Sequence, residues 1–324
     1  MPKVRPPADL SLARDPSLCT RHVAGYTGGM AQATPQVLGL GELLWDDFPG
    51  GRQLGGAPAN FAYHVQVQGV SAAPVSAVGK DVDGDALMDA LASRGVDTRF
   101  VARVPKPTGV VDVTLSEGGK PTYEIRRDVA WDHIPATEGS MAAARGARAI
   151  CFGTLAQRSP VSRETIRGLL SAAPAGCRKV FDVNLRGDFY DAETVRAGLE
   201  AATVLKLSDE EVEKVAELLG LPADETAFGD AVLERFDLEL LVVTRGSEGS
   251  LLRTQTESDE HPVVEAEVVS TVGAGDSFNA GIVSGLLKGL SLRELHDFAA
   301  RLAAFVVTQE GAMPEIPPEL RLTS

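Results

Sequence analysis

Val37-Leu-Gly-Leu-Gly41, then Ala57-Pro-Ala-Asn-Phe-Ala-Tyr-His-Val-Gln-Val-Gln68, then Ala73-Pro-Val-Ser-Ala-Val78 read as strand, helix, strand. A short aliphatic run bounded by glycine suits a strand buried on both faces, and the longer segment opened by Pro58 suits a helix. Asp85 to Arg94 continues the rhythm as a second helix. The alternation resumes at Ala147-Arg-Ala-Ile-Cys151, Lys179-Val-Phe-Asp182, Thr203-Val-Leu-Lys206 and Leu238-Glu-Leu-Leu-Val-Val-Thr244, each followed by a helical pattern. The expected fold is α/β, a Rossmann-like doubly wound, mainly parallel sheet flanked by helices.

Two excursions interrupt the rhythm. Val110-Val-Asp-Val-Thr-Leu115 and Thr122-Tyr-Glu-Ile-Arg126 flank the turn Glu117-Gly-Gly-Lys120 as a β-hairpin, and Leu43 to Leu54 bends at Pro49-Gly-Gly51. Together, over about 43–55 and 98–133, they predict a small β-sheet lid over a substrate. Residues 1–35, rich in Pro, Gly, Ser and scattered charges, read as a disordered extension, with Met30 as a candidate functional start, and 36–324 as the folded domain.

The chain has 324 residues, 44% of them hydrophobic, enough for a large core. With 45 acidic against 31 basic side chains, a formal charge of -14 and no basic tract, nucleic acid and anionic membranes are not expected partners. Cys19, Cys151 and Cys177 are too scattered for a disulfide framework or zinc cluster, so the reading is a reducing, cytoplasmic compartment, with no segment apolar enough to span a bilayer. His22, His64, His133, His261 and His296 show no metal-ligand spacing, and His64, in the helix opened by Pro58, is read as structural.

Chemistry concentrates in Thr271-Val-Gly-Ala-Gly-Asp-Ser-Phe-Asn-Ala-Gly281. Gly273, Ala274 and Gly275 at a helix start leave backbone N–H groups open to an anion, and Asp276 beside them can take a proton from an attacking hydroxyl. The same tetrapeptide also reads as a tight turn with Asp276 as N-cap. Near the start, Gly55-Gly56 lets a ligand approach the backbone, and Asp46 and Asn60 offer an acceptor-only carboxylate and a mixed amide suited to sugar hydroxyls. Gly39 and Gly41 lack the third glycine of a dinucleotide fingerprint.

Leu54-Gly-Gly-Ala-Pro-Ala-Asn60 and Thr271 to Gly281 resemble the two signature regions of the ribokinase-like (PfkB) carbohydrate kinases. The resemblance runs from about Val37 to Pro317, through Phe181-Asp-Val-Asn-Leu-Arg186, Lys206-Leu-Ser-Asp-Glu-Glu211, Val243-Thr-Arg-Gly-Ser-Glu-Gly249 and Val307-Thr-Gln-Glu-Gly-Ala312. It implies ATP and Mg²⁺ as co-substrates, direct transfer of the γ-phosphoryl group to a sugar hydroxyl, Asp276 as base, and Gly273, Ala274 and Gly275 as anion hole. It implies that Asp46, Gly55, Gly56 and Asn60 hold the sugar. It further implies that Thr244, Gly246 and Gly249 lie along the nucleotide, Gly311 near the adenine, Asn184, Arg186 and Lys206 at the phosphates, and Glu211 near Mg²⁺ through water.

Gly41-Glu-Leu-Leu-Trp-Asp46 and Val129-Ala-Trp-Asp-His-Ile134 look most like bacterial fructokinases. A 2-keto-3-deoxygluconate, ribose or nucleoside kinase of the same family, and a catalytically silent sugar-binding protein, are the alternatives. Tyr123 and Arg126 have opposite strand parity, so at most one faces the sugar; Arg126 is the choice. Trp45 and Trp131 are read as packing. The sequence departs from the family pattern at Ser270, where an Asp often helps bind a monovalent cation, so potassium activation is not expected. Ser208 replaces an Asn, and Ala300 an Asn beside the adenine. The lid's free edge leaves room for a homodimer.

Overall fold

The computed structural model describes residues 34–115 and 121–322, with 114, 115 and 121–123 in backbone only. Residues 1–33 and the turn at 117–120 therefore lie outside the described residues. The chain begins with β1 (Val37–Leu40), leaves for an antiparallel pair, β2 (Leu44–Phe48) and β3 (Gly51–Gly55), and returns through α1 (Ala57–Val67) to β4 (Ala72–Gly79), α2 (Val82–Ser93) and β5 (Val101–Val104). The second excursion is β6 (Gly109–Leu115) and β7 (Pro121–Ile125), followed by α3 (Glu138–Gly146) and β8 (Ala149–Gly153). Next come α4 (Pro160–Ala172), β9 (Arg178–Asp182), α5 (Ala192–Ala201), β10 (Val204–Ser208), α6 (Asp209–Leu219), α7 (Glu225–Arg235) and β11 (Leu240–Thr244). A hairpin, β12 (Ser250–Arg253) and β13 (Ser258–His261), precedes the last two helices, α8 (Ala274–Lys288) and α9 (Leu292–Val307).

The main sheet has the order β13-β12-β11-β10-β9-β8-β1-β4-β5, parallel from β11 to β5 with the β12–β13 hairpin antiparallel at one edge. Strand order reverses at β1, which pairs with β4 on one side and β8 on the other. A crevice therefore opens at the carboxyl ends of β1 and β8, the place where doubly wound sheets bind ligands. Alternate residues of each strand feed opposite layers. Leu38, Leu40, Ile150, Phe152, Leu205 and Leu207 pack with α3 to α7, whereas Val37, Ala149, Cys151 and Val204 pack with α1, α8 and α9. Burial on both faces explains why these strands read as continuous apolar runs.

The smaller sheet has the order β3-β2-β6-β7, and the two excursions join through parallel pairing of β2 with β6. The small sheet expected from the sequence is present, but within the expected 98–133 segment residues 98–108 and 126–133 lie outside its strands. Val101–Val104 pairs with β4 as the edge of the main sheet, a strand too short and too flanked by charge to stand out. Among the described residues, no helix is long and apolar enough to cross a membrane.

Trp131 and Trp45 both pack. Trp131 is fully buried under Arg158, whose guanidinium carbon stands 3.9 Å from the ring centroid, and Trp45 Nε1 donates to the Asp83 carbonyl at 3.0 Å. Phe152 stacks on Phe181 with centroids 5.1 Å apart, both buried. Phe152→Ala should lower stability by about 3–5 kcal/mol, read as a lower urea midpoint at unchanged slope.

Candidate active site

Two helices converge on the crevice. The chain leaves β1 through Gly41, runs out into the lid and comes back to within touching distance of its own exit at Gly56. Gly56 has φ +116°, and a Cβ there would lie 2.5 Å from the Glu42 carbonyl oxygen, so only glycine fits. The next amide, Ala57 N–H, donates to Glu42 Oε1 at 3.3 Å, and Pro58 sits in the first turn of α1. Asn60 is thereby fixed at the mouth of the crevice, 3% exposed.

From the other end of the chain, α8 starts at Gly273, whose φ is +81° and whose Cβ would stand 2.7 Å from that of Ala312. Gly273 is the N-cap, and Asp276 lies in the first turn with its carboxylate turned to Asn60 Nδ2, which donates to Oδ2 at 2.7 Å. The N-cap reading of Asp276 is thus replaced by a carboxylate aimed into the crevice. Ala274 N–H donates to the Thr271 carbonyl at 3.3 Å, so of the amides at this helix start it already has a partner.

A cavity of about 730 Å³ joins these elements. Asp46, Gly55, Gly56, Asn60, Gly273, Gly275, Asp276, Asn184, Arg186 and Lys206 all line it, with Leu44, Phe48, Val111 and Ile125 from the inner face of the lid. Burial pushes the Asp276 carboxyl up to about 7; Asn60's hydrogen bond and Lys206 oppose the rise, and Asp182 and Glu42 add to it. Burial likewise lifts Asp46 to about 6, with Arg186 opposing and Glu42 adding. A base poised near neutrality is what proton transfer from a hydroxyl calls for.

Other expected residues fall elsewhere. Thr244 ends β11, Gly246 and Gly249 follow it with φ +52° and +92°, and Gly311, φ +75°, follows α9; none lines the cavity, although β11 ends on the same side as β9 and β10. Glu211 is committed to backbone: Oε1 accepts from Leu185 N–H at 2.6 Å and Oε2 from Ser208 N–H at 2.8 Å. Ser208 caps α6, and Ser270 Oγ accepts from Val272 N–H. Ala300 packs against the core.

Arg126 is a correction. Ile125 faces the cavity, so Arg126 points to the opposite face of the lid, where Nη2 and Nε bond Asp112 at 2.7 Å. The Val129–Ile134 segment is framework, with Asp132 bonded to Val129 N–H and Arg158. His64 is fully buried, its Nε2 2.8 Å from the Ala312 carbonyl, and burial holds it down at about 4, so it is a neutral pin between α1 and the loop after α9.

The sequence reading missed Glu42, Asp182 and Asn279. Glu42 directly follows Gly41 at a strand exit, and Asn279 lies three residues beyond Asp276, one helical turn on the same face; these were the available signals.

The model of the pfkB family carbohydrate kinases matches residues 44–319. This chain is a pfkB-family carbohydrate kinase. As such it is a phosphotransferase with an alcohol group as acceptor. It is similar to an uncharacterized sugar kinase of Pyrococcus horikoshii, 31% identical over 267 residues, 80% of this chain and 82% of the relative. The crystal structure of that protein in complex with ATP superposes with a TM-score of 0.74 at 30% identity, covering 86% of this chain and 94% of the other. Escherichia coli fructokinase is 28% identical over 302 residues, 88% of this chain and 97% of the relative.

The raised carboxyls of this kinase have a consequence for stability. Asp276 has a folded value of about 7 against an ordinary 3.8, so its contribution is fully present below about pH 4 and is lost as pH rises through 7. Asp276 is partly open to the cavity, which reduces the effect. Asp276→Asn should therefore be more stable than the parent by roughly 1–3 kcal/mol at pH 8, with the gain vanishing near pH 4, in melts compared across pH.

Proposed function

We propose that this kinase transfers the γ-phosphoryl group of ATP to a hydroxyl of an uncharged sugar, fructose first among the candidates. The observation that carries the reading is the 2.7 Å bond between Asn60 and Asp276, which joins a sugar-holding turn and a catalytic base inside one cavity. The sugar lies under the lid against Asp46, Gly55, Gly56 and Asn60. Asp276 takes the proton as the hydroxyl oxygen attacks the γ-phosphorus and ADP leaves. The open amides after Gly273, with Lys206, meet the charge on the transferring oxygens, and Asn184 and Arg186 orient the phosphates.

ATP is the donor in this reading, supported by the ATP complex of the Pyrococcus relative. Thr244, Gly246 and Gly249 follow the nucleotide along the ends of the strands, and Gly311 approaches the adenine. Among the described residues no cluster of three or more His, Cys, Asp and Glu could hold a metal alone. Glu211, with an amide already on each oxygen, fits an outer contact through water to a Mg²⁺ that keeps most of its hydration on the nucleotide. Mg²⁺ there supplies neutralisation of phosphate charge.

An acid sugar calls for a cation beside the acceptor. Arg126, the candidate on the lid, is paired with Asp112 on the outer face; of the two cations among the described residues that line the cavity, Lys206 is bonded to Asp182 and Arg186 is assigned to the phosphates, while Glu42, Asp46 and Asp276 line it as acids. That charge pattern supports an uncharged acceptor over 2-keto-3-deoxygluconate. The fructose choice rests on the similarity to fructokinases and on Asp46.

A coupled ADP-release assay with Mg²⁺-ATP over fructose, ribose, 2-keto-3-deoxygluconate and adenosine should give turnover on fructose. Asp276→Asn should lose about 10²–10⁴-fold in kcat. In the parent, kcat/KM should rise with pH through about 7, following ionisation of Asp276. Asn60→Ala removes the donor that favours the ionised form and should move that limb upward. Preference for 2-keto-3-deoxygluconate would overturn the uncharged acceptor, and no turnover with any of the four would favour the silent binding protein.

A further inference from the structure

Asp182 ends β9 in the floor of the site and is 5% exposed. Both of its oxygens are engaged by side chains. Oδ1 accepts from Lys206 Nζ at 3.0 Å, and Oδ2 accepts from Asn279 Nδ2 at 2.8 Å. Lys206 and Asn279 are buried as well, 7% and 2% exposed. One carboxylate therefore ties together β9, β10 and α8.

What it ties down matters for the chemistry. A Cβ on Gly275 would stand 3.3 Å from Lys206 Nζ, so the ammonium is held against the first turn of α8, where the anion is received. Asn279 is one turn beyond Asp276, so holding Asn279 sets the rotation of α8 about its axis and with it the aim of Asp276. Behind the main site, a second cavity of about 20 Å³ is lined by Glu42, Asp182, Asp276 and Asn279. It has room for one water, and Asn279 Oδ1 has no protein partner to satisfy it.

A buried ion pair is a poor way to gain stability, because the cost of taking both charges out of water offsets their attraction. Packing alone would be served as well by apolar side chains of the same size. The geometry points to Asp182 as a positioning residue for phosphoryl transfer, acting through Lys206 and Asn279 to hold an ammonium at the anion turn and to aim Asp276. This role rests on the kinase reading above.

The arrangement has a signature that a purely structural role lacks. Asp276 is faced by Asn60 from α1, Glu42 after β1, the Cys151 thiol from β8, Asp182 from β9 and Lys206 from β10, with Asp46 and Arg186 across the cavity. Asp182 disfavours ionisation of Asp276, and Lys206 favours it. Neutralising the two groups one at a time must move the titration of Asp276 in opposite directions.

The test compares kcat, KM for sugar and for ATP, the pH profile of kcat and the melting temperature for the parent, Asp182→Asn, Lys206→Met and Asn279→Ala. Asp182→Asn should lose about 10–100-fold in kcat with the sugar KM within about threefold, since the contacts to the sugar are untouched. Its acid limb should move to lower pH, and that of Lys206→Met to higher pH. Asn279→Ala leaves the ion pair in place, so it should lose less in kcat and keep the parent's limb; it carries the test if Asp182→Asn does not fold. The role is overturned if Asp182→Asn keeps kcat within about twofold, or if losses follow melting temperature with both limbs unmoved, or if Asn279→Ala matches the parent in a background where Asp182→Asn is unfolded. A parent inactive on every sugar would overturn the kinase reading and this role together, whereas an active parent with an unimpaired Asp182→Asn overturns the role alone.

Discussion

The bond from Asn60 to Asp276 spans 216 positions in sequence and 2.7 Å in space, and most of the architecture exists to make it. Each partner rides in the first turns of a helix, and each helix begins at a glycine that no other residue could replace. Gly56 lies against the carbonyl of Glu42, and Gly273 against Ala312. Close approach of backbone to backbone, bought by the absence of two side chains, brings α1 and α8 together at the reversal point of the sheet. The lid then has a fixed place to fold over, because β2 and β3 are the connection between β1 and α1.

The site is electrostatically uncomfortable by design. Asp276, Asp46 and Glu42 share one cavity, and burial raises all three carboxyls above their ordinary range. Favourable partners are few: Asn60 for Asp276, with Arg186 and Lys206 in the cavity lining. A carboxyl that is neutral in the resting protein costs little to bury, while one that ionises near pH 7 can accept a proton during turnover. Stability and reactivity therefore pull on Asp276 in opposite directions. The apolar walls supply the offset, with the sheet packed on both faces and Phe61, Phe278, Phe152 and Phe181 enclosed around the crevice.

The lid illustrates how far pattern reading reaches. Strand parity alone cannot say which face of a two-sided polar strand looks inward. Arg126 looks outward because Ile125, its apolar neighbour, takes the inner face with Val111 and Leu44. Asp112, diagonally across the outer face, then completes the pair. Similarly, Val129–Ile134 carried a family likeness but serves as framework: Trp131 and Arg158 pack it under the sheet.

By itself the sequence determined the layered α/β fold, the two lid excursions and the two glycine-rich turns, because each follows from local rules: period-2 burial, helix-opening proline and backbone freedom at glycine. The resemblance carried by its two glycine-rich signature regions also singled out Asp46, Asn60 and Asp276, which the structure places on one cavity. Only the tertiary structure decided that Val101–Val104 joins the main sheet, that Arg126 turns away, and that Glu42, Asp182 and Asn279 gather around Asp276. Those facts depend on which strands become neighbours and which groups share a buried volume. Pairing and burial arise between segments separated in sequence, as Val101 from Ser76 and Asn279 from Asp182, and no local window contains them.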